Sequence, residues 1–188
     1  MKMKMVKPAA WFIIVMLAAA FVGCGSTTVR TDFDPSKLAE QEVYSDAPGT
    51  LDVTYDSLSK IVNDASCIAL VDVTERRIEM PDGYPQTHTT VKLAEVLKGS
   101  EKAGDTLEVI EEGGGSEEFL FGNYPQLNKD KQYILFLKYS DGNYYICGAF
   151  QGRFVINDGY VVQQTVEGVG VKDYTPVKVE EFKALIAQ

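Results

Sequence analysis

The sequence predicts a mainly β protein whose strands form a small antiparallel barrel, with one helix before the strands and one after them. Short runs of β-branched and aromatic residues recur from residue 67 to residue 163, as in a sheet of many short strands. Asp141-Gly142 and Asp158-Gly159 separate such runs with the spacing of tight hairpins. Before and after this region, apolar residues recur with helical spacing. Together these patterns favour a small barrel with a helix at each end.

Each of the two predicted helices is defined by an apolar stripe. The first stripe has Thr54 as its predicted N-cap and consists of Leu58, Ile61, Val62 and Ala65. The second stripe lies near the C-terminus and consists of Val179, Phe182, Leu185 and Ile186. We expect each helix to bury this stripe against the strands.

The predicted strands follow one another along the chain. Cys67 to Val73 is apolar on both faces, which is typical of a central strand. Pro81-Asp82-Gly83 marks a turn, and Thr87 to Leu97 is the next strand. A bulge near Ala94-Glu95 would restore the alternation of that strand. The later strands are predicted near residues 104–109, 133–139, 144–150, 154–156 and 160–163.

Part of the strand region resembles netrin-like domains, a family that includes the tissue inhibitors of metalloproteinases. The matching stretches are Ala65-Ser66-Cys67, Val91 to Gly99, Gly104 to Val109 and Asp130 to Leu137. The resemblance implies a five-stranded barrel of the oligonucleotide/oligosaccharide-binding (OB) type, so we expect an OB-like barrel. The family's disulfides are missing here. Its inhibitors also place a free N-terminal cysteine against the protease metal, which this chain does not match, so only the barrel is carried over.

The first 24 residues have the pattern of a secretory signal. Three lysines precede an apolar run from Ala9 to Val22, whose 14 residues are fewer than the about 20 that a spanning helix needs. The next residues end at Cys24 and resemble the lipobox of bacterial lipoproteins, although that family usually has an aliphatic residue in place of Phe21. The resemblance implies that residues 1–23 are a signal peptide and that Cys24 carries a diacylglyceryl group. An ordinary signal peptide or an uncleaved anchor is the alternative.

A lipid on Cys24 would place the protein on the extracytoplasmic face of a bacterial membrane, and on the outer membrane if the cell has one. Two acyl chains are enough for stable anchoring. Residues 24–50 are poor in large apolar side chains and are expected to be a flexible tether, with a short helical turn at Lys37 to Glu42. Residues 51–188 are expected to be a single domain.

The charge of the chain limits its partners. The net charge is -9, and removal of the three signal-peptide lysines would leave 15 basic against 27 acidic residues. Such a surface repels nucleic acid. The expected partners are therefore membrane lipid through acylated Cys24 and an unidentified envelope protein or polymer, with no nucleic acid.

Two cysteines remain besides Cys24. Cys67 and Cys147 both lie in apolar, strand-like runs and are expected to be buried free thiols. A disulfide between them is the alternative, because the predicted compartment is oxidising.

The run Gly113-Gly114-Gly115-Ser116 lies among four glutamates and is predicted to be a loop between strands, available for contact with a partner. The Gly-Lys-Ser/Thr of a phosphate-binding loop is missing. The glutamates Glu111, Glu112, Glu117 and Glu118 could instead converge on calcium. No cofactor or metal is predicted.

The sequence favours a binding or interaction module over an enzyme. His88 is the only histidine, and its polar neighbours predict a surface position. No recognisable base and nucleophile pair accompanies it. The alternatives are a netrin-like protease inhibitor that acts through the loop at Gly113 to Glu118, and an extracytoplasmic hydrolase that uses acidic residues.

Overall fold

A mixed sheet of eight strands dominates the computed structural model, which describes residues 34–44, 53–115 and 124–188. The strands are β1 (Val43–Tyr44), β2 (Cys67–Glu79), β3 (Gln86–Lys98), β4 (Thr106–Glu112), β5 (Gln132–Ser140), β6 (Asn143–Ile146), β7 (Arg153–Asn157), β8 (Tyr160–Gln163), β9 (Thr165–Val166) and β10 (Val177–Lys178). The helices are α1 (Ser36–Gln41), α2 (Leu58–Asp64) and α3 (Val179–Ile186). The large sheet has the order β10-β8-β7-β5-β2-β3-β4-β6, and β1 pairs with β9 outside it. The predicted mainly β fold class is confirmed.

Strands β2 to β6 pair around a partial ring. β5 pairs with β2, β2 with β3, β3 with β4, β4 with β6, and β6 again with β5. An odd number of strands cannot alternate in direction all the way around a ring, so one neighbouring pair must be parallel. That pair is β4 and β6, which align Val109 with Tyr144 and Ile110 with Tyr145. The prediction of a purely antiparallel arrangement is therefore wrong at this pair.

Tight turns and bulges set the register of the sheet. Asp141-Gly142 joins β5 to β6 and Asp158-Gly159 joins β7 to β8, as predicted. All four residues have positive φ, as two-residue hairpin turns of type I′ require. The predicted bulge in β3 is confirmed, because Leu70 lies opposite Glu95 and the next residue of β2 lies opposite Leu93. Ala94 is thus the extra residue.

The core is divided between the two faces of the central strands. Alternate residues of the two strands point into the ring: Cys67, Ala69 and Val71 of β2, and Tyr133, Leu135 and Leu137 of β5. The opposite face carries Ile68, Ile134 and Phe136, which pack in a second cluster with Ile61 of α2 and Phe182 of α3. Both faces are buried, so β2 and β5 are central strands, as their two-sided apolar pattern predicts.

The helices follow the predicted stripes. α3 contains the second apolar stripe, and α2 contains the first except for Ala65, which is its C-cap. α1 matches the helical turn predicted at Lys37 to Glu42. The N-cap of α2 is Ser57, whose Oγ accepts a hydrogen bond from the Lys60 N–H at 3.4 Å. The prediction of Thr54 as the cap is wrong, because it lies too far ahead of the first helical residue.

The folded part of the chain begins earlier than the sequence predicts. Residues 34–188 form one compact unit. Within it, Leu38 of α1 is buried in the core cluster of the ring, and β1 pairs in parallel with β9. Residues 34–44 therefore belong to the fold and not to the flexible tether predicted for residues 24–50. The remainder of that tether, the signal peptide and Cys24 lie outside the described residues.

Candidate functional site

The candidate site is a groove of about 320 Å³ beside the distal part of β2. The lining consists of one cation, three uncharged polar residues, two apolar residues and two glycines: Arg76, Thr87, Gln126, Asn128, Ile78, Pro125, Gly114 and Gly115. A volume of this size is at the lower end of the range for ligand sites. The groove is therefore large enough for a small ligand or a few residues of a peptide.

The groove exists because β2 loses one of its two neighbours. The inner half of β2 (Cys67–Asp72) pairs with β3 on one side and with β5 on the other. The pairing with β5 ends at Asp72 and Gln132. From Thr74 to Glu79, here called the outer half of β2, the only paired strand in the described part of the chain is β3. Arg76 and Ile78 lie on the same face of the hairpin as Thr87 of β3, and their side chains line the groove next to this unpaired edge.

The glycine run closes one end of the groove by close packing. The Thr87 hydroxyl donates a hydrogen bond to the Gly113 carbonyl at 2.7 Å. A Cβ on Gly114 would lie only 2.2 Å from the Thr87 Oγ1, and the φ of Gly114 is +114°. Both facts require glycine there. The sequence predicts Gly113 to Ser116 as an interaction loop; Gly114 and Gly115 line the groove, whereas Ser116 lies outside the described residues.

Arg76 is the cation of the groove. Its side chain is exposed, and the described residues provide it with no hydrogen bond or ion pair. The adjacent Arg77 is in contrast bound by Glu79 and Glu108. In a chain of net charge -9, an unpaired guanidinium at the rim of a groove attracts an anionic group.

Gln126 places an unsatisfied acceptor in the groove wall. Its Nε2 donates to the Glu112 carbonyl at 3.1 Å, which fixes the orientation of the amide. The Oε1 is buried and has no hydrogen-bond partner among the described residues. An unsatisfied buried acceptor typically costs about 1–3 kcal/mol. A ligand N–H would relieve this cost if the amide turned, and the turn would exchange the Nε2 hydrogen bond to the Glu112 carbonyl for one between the ligand and Oε1.

A buried ion pair holds the groove wall from behind. The side chain of Arg153 is 1% exposed, and its Nη2 donates to Glu111 Oε1. The Nη1 of Arg153 donates to the Pro125 carbonyl, and Glu111 Oε2 accepts the Leu127 N–H at 3.2 Å. The two residues that flank Gln126 are therefore both fixed by one ion pair.

Two further contacts support the charge of Arg153. Its guanidinium lies 4.5 Å from the centre of the Tyr124 ring, a cation–π contact. Burial by itself lowers the pKa of Arg153, but the Glu111 carboxylate and the nearby tyrosines outweigh burial and raise it. Arg153 therefore stays charged in its buried position.

The same network reaches the N-terminal segment. Gln164 accepts from Arg153 Nη1 at 3.2 Å and donates from Nε2 to Glu42 Oε2 at 3.0 Å. Glu42 is buried, and Lys131 Nζ lies 3.3 Å from its carboxylate. The segment that leads from the predicted anchor is thus connected to the groove wall through buried polar side chains.

The opposite face of the β2–β3 hairpin carries a second charged cluster. His88 Nδ1 lies 2.9 Å from Glu108 Oε1, and Arg77 pairs with the same carboxylate. Hydrogen bonds from Arg77 and then His88 lower the pKa of Glu108 to about 2. His88 is 8% exposed, so the prediction of a surface histidine is wrong. Its covering residues come from other positions of the hairpin and from β4, which its sequence neighbours do not reveal.

The two described cysteines are free and buried. Cys67 lies in the ring cluster and Cys147 in the helix-facing cluster, so the alternative of a disulfide between them is not realised. Burial is the main cause that raises the pKa of each thiol to about 12. Neither thiol is an activated nucleophile.

No protein-family model matches the chain, and no curated protein sequence matches it. In the parts that the structure describes, no helix has the length and apolar character needed to cross a membrane. The same residues contain no group of three or more histidine, cysteine or acidic side chains arranged to hold a metal ion. Glu117 and Glu118 of the calcium hypothesis lie outside these residues.

Several residues of the groove were missed by sequence reasoning. Arg76 and Gln126 are 50 positions apart, and no motif connects them. The one available signal was the pair Arg76-Arg77, which follows the predicted strand Cys67 to Val73 in an acidic chain. The Arg153–Glu111 ion pair has no sequence signal, because both residues lie in strands that read as ordinary alternating segments.

Proposed function

We propose that this protein is a lipid-anchored binding module on the extracytoplasmic face of a bacterial membrane. The groove beside β2 is its binding site, and no enzymatic activity is part of the proposal. The observation that carries the binding function is the coexistence, in one groove, of an unpaired guanidinium and an unsatisfied buried acceptor. A ligand that binds both groups would lower the free energy of the protein, because the described residues provide neither an anion for Arg76 nor a donor for the Gln126 oxygen.

We also propose that the ring of β2 to β6 is an OB-like barrel. Five strands with a single parallel pair, β4 with β6, agree with a five-stranded, partly open barrel of this kind. Barrels of this type bind ligands on the face of their second and third strands and through the adjoining loops. The groove lies beside the hairpin that joins the first two ring strands and next to the glycine segment that follows the third.

The anchor is proposed on the lipobox-like residues that end at Cys24. The test is Cys24→Ala in the full-length chain, with metabolic labelling by palmitate and membrane fractionation. We expect loss of the label and release from membranes. Retained label in the variant would contradict lipidation.

Binding through the groove can be tested by site-specific crosslinking in the native envelope. Ile78, which is 44% exposed and lines the groove, is replaced by photoreactive benzoylphenylalanine. The matched control is the same replacement at Leu185, which is 41% exposed and lies in a separate groove between α2 and α3. We expect a crosslinked partner from position 78 and none from position 185.

Equal yields from both positions, or no product from either, would contradict the proposal. The identity of a captured partner also separates the alternatives. If the captured partner is a protease that is inhibited through contact at position 78, the protein is a netrin-like inhibitor and not a general binding module. If the purified protein turns over a captured polymer, the protein is a hydrolase that uses acidic residues.

A further inference from the structure

We infer that the groove binds an extended peptide segment with a carboxylate side chain, which adds as a strand to the outer half of β2. The inference rests on the proposed binding function and names the ligand class of that site. It combines an unpaired strand edge, a cation and an acceptor, each of which selects one feature of the ligand.

The strand edge selects an extended backbone. Within the described residues, Glu75 to Glu79 pair with β3 alone and Thr74 sits at a register shift without a partner, so one row of backbone N–H and C=O groups points away from the sheet. Such an edge is a template for another strand. Addition of a peptide strand to an exposed edge is a recurrent mode of recognition, in which main-chain hydrogen bonds provide affinity and side-chain pockets provide specificity.

Arg76 selects the carboxylate. It is exposed, unpaired among the described residues and part of the groove lining. A planar guanidinium can bind a carboxylate through two parallel hydrogen bonds. An acidic side chain on the bound strand would therefore supply the partner that the surrounding residues do not.

Gln126 and Ile78 select the remaining features. The unsatisfied Oε1 of Gln126 requires a donor, and a backbone N–H is the donor that every peptide residue except proline carries. Ile78 is an exposed apolar side chain in the same groove and offers contact area to an aliphatic neighbour of the acidic residue. The wall opposite this strand edge is held in place by Arg153 and Glu111, so little ordering is needed on binding.

The test measures the affinity of short peptides for the full-length protein in detergent by ligand-observed NMR. The probe is acetyl-Thr-Val-Glu-Val-Thr-amide, and the matched control peptide has Gln in place of Glu. We expect the Glu peptide to bind at least roughly tenfold more tightly, as for a hydrogen-bonded charge pair. Equal affinity of the two peptides would overturn the inference.

Variants of Arg76 show whether the preference comes from this side chain. Arg76→Gln should abolish the preference for the Glu peptide, and Arg76→Glu should reverse it in favour of a Lys peptide. Arg76 is exposed and unpaired in the described structure, so neither variant should unfold the protein. Lys92→Gln removes the same charge from β3 outside the groove lining and should leave the preference unchanged. A preference that survives in Arg76→Glu would contradict the proposed contact.

Backbone methylation tests strand addition independently of charge. One peptide carries N-methyl groups on both valines, and another carries them on the threonines and the glutamate. Because alternate residues of a strand direct their N–H groups to the same neighbour, we expect one methylated peptide to lose binding and the other to keep it. Retention by both peptides would rule out strand addition. A partner crosslinked from position 78 together with no peptide preference would leave the binding function standing and refute only the ligand class.

Discussion

The two halves of β2 have opposite roles although they belong to one continuous strand. The inner half is paired on both sides, and its side chains fill both core clusters. The outer half has a single paired neighbour in the described structure, and all its residues are exposed. The change occurs where the pairing of Asp72 with Gln132 ends.

The comparison shows how a single strand can provide both the core of a domain and an edge for recognition. The inner half gains stability from burial, which removes its backbone from any contact with a partner. The outer half keeps unused backbone groups, and it is held in place by side-chain contacts on its other face.

The largest effect is expected at the wall that faces the outer half. Arg153→Ala should lower the free energy of unfolding by about 3–5 kcal/mol, because it leaves the Glu111 carboxylate buried without its partner. Chemical denaturation of the full-length protein measures this change. The double variant Arg153→Met with Glu111→Leu should recover most of the loss. A loss under 1 kcal/mol for Arg153→Ala would show that the wall does not depend on the ion pair.

The next largest effect is a difference in stability loss between two isoleucines, one in each half of β2. Ile68→Ala removes a fully buried side chain from the helix-facing cluster and should cost about 2–5 kcal/mol. Ile78→Ala in the exposed outer half should change stability by less than about 0.5 kcal/mol. Both values come from the same denaturation experiment. Similar losses for the two variants would contradict the division of β2 into a structural half and an exposed half.

A smaller effect is expected from the charged cluster that supports the outer half. The pKa of Glu108 is about 2 in the folded protein, below its usual 4.5, because Arg77 and His88 bind the carboxylate. The stabilisation by Glu108 is therefore present above about pH 4.5 and is lost as the pH falls towards 2. The carboxylate is about one-third exposed, so this stabilisation should stay below about 1 kcal/mol.

The control for this pH effect is Glu108→Gln. The difference in stability between the native chain and the variant should be present at about pH 5 and should disappear near pH 2. A difference that stays constant over this interval would show that the ion pair does not support the hairpin. Glu112→Gln, at an exposed position of the same strand, is the control for the loss of one negative charge without the loss of the Arg77 and His88 contacts.

Much of the fold could be predicted from residue patterns that act locally. The two-sided apolar runs identify β2 and β5 as central strands, Asp-Gly pairs locate two hairpins, and the disturbed alternation around Ala94 locates a bulge. These features depend on neighbours in sequence, so the sequence contains the information directly.

Features that depend on distant partners could not be predicted. The segment from Asp34 to Tyr44 has little apolar surface of its own and is held by Leu38, a short parallel pairing and the buried Glu42. The parallel contact of β4 with β6 follows only from closing a five-strand ring. Arg76 and Gln126 both line the groove because β5 separates from β2. No local sequence pattern predicts that separation.

The central claim, that the outer half of β2 is an open edge, can be measured by native-state hydrogen exchange on the full-length protein. We expect slow exchange from Ile68 to Asp72, where the strand pairs with both β3 and β5. From Glu75 to Glu79, fast and slow amides should alternate, because only the amides that face β3 are protected. Uniformly slow exchange along the whole strand would show that the chain itself already covers this edge, and it would contradict the account.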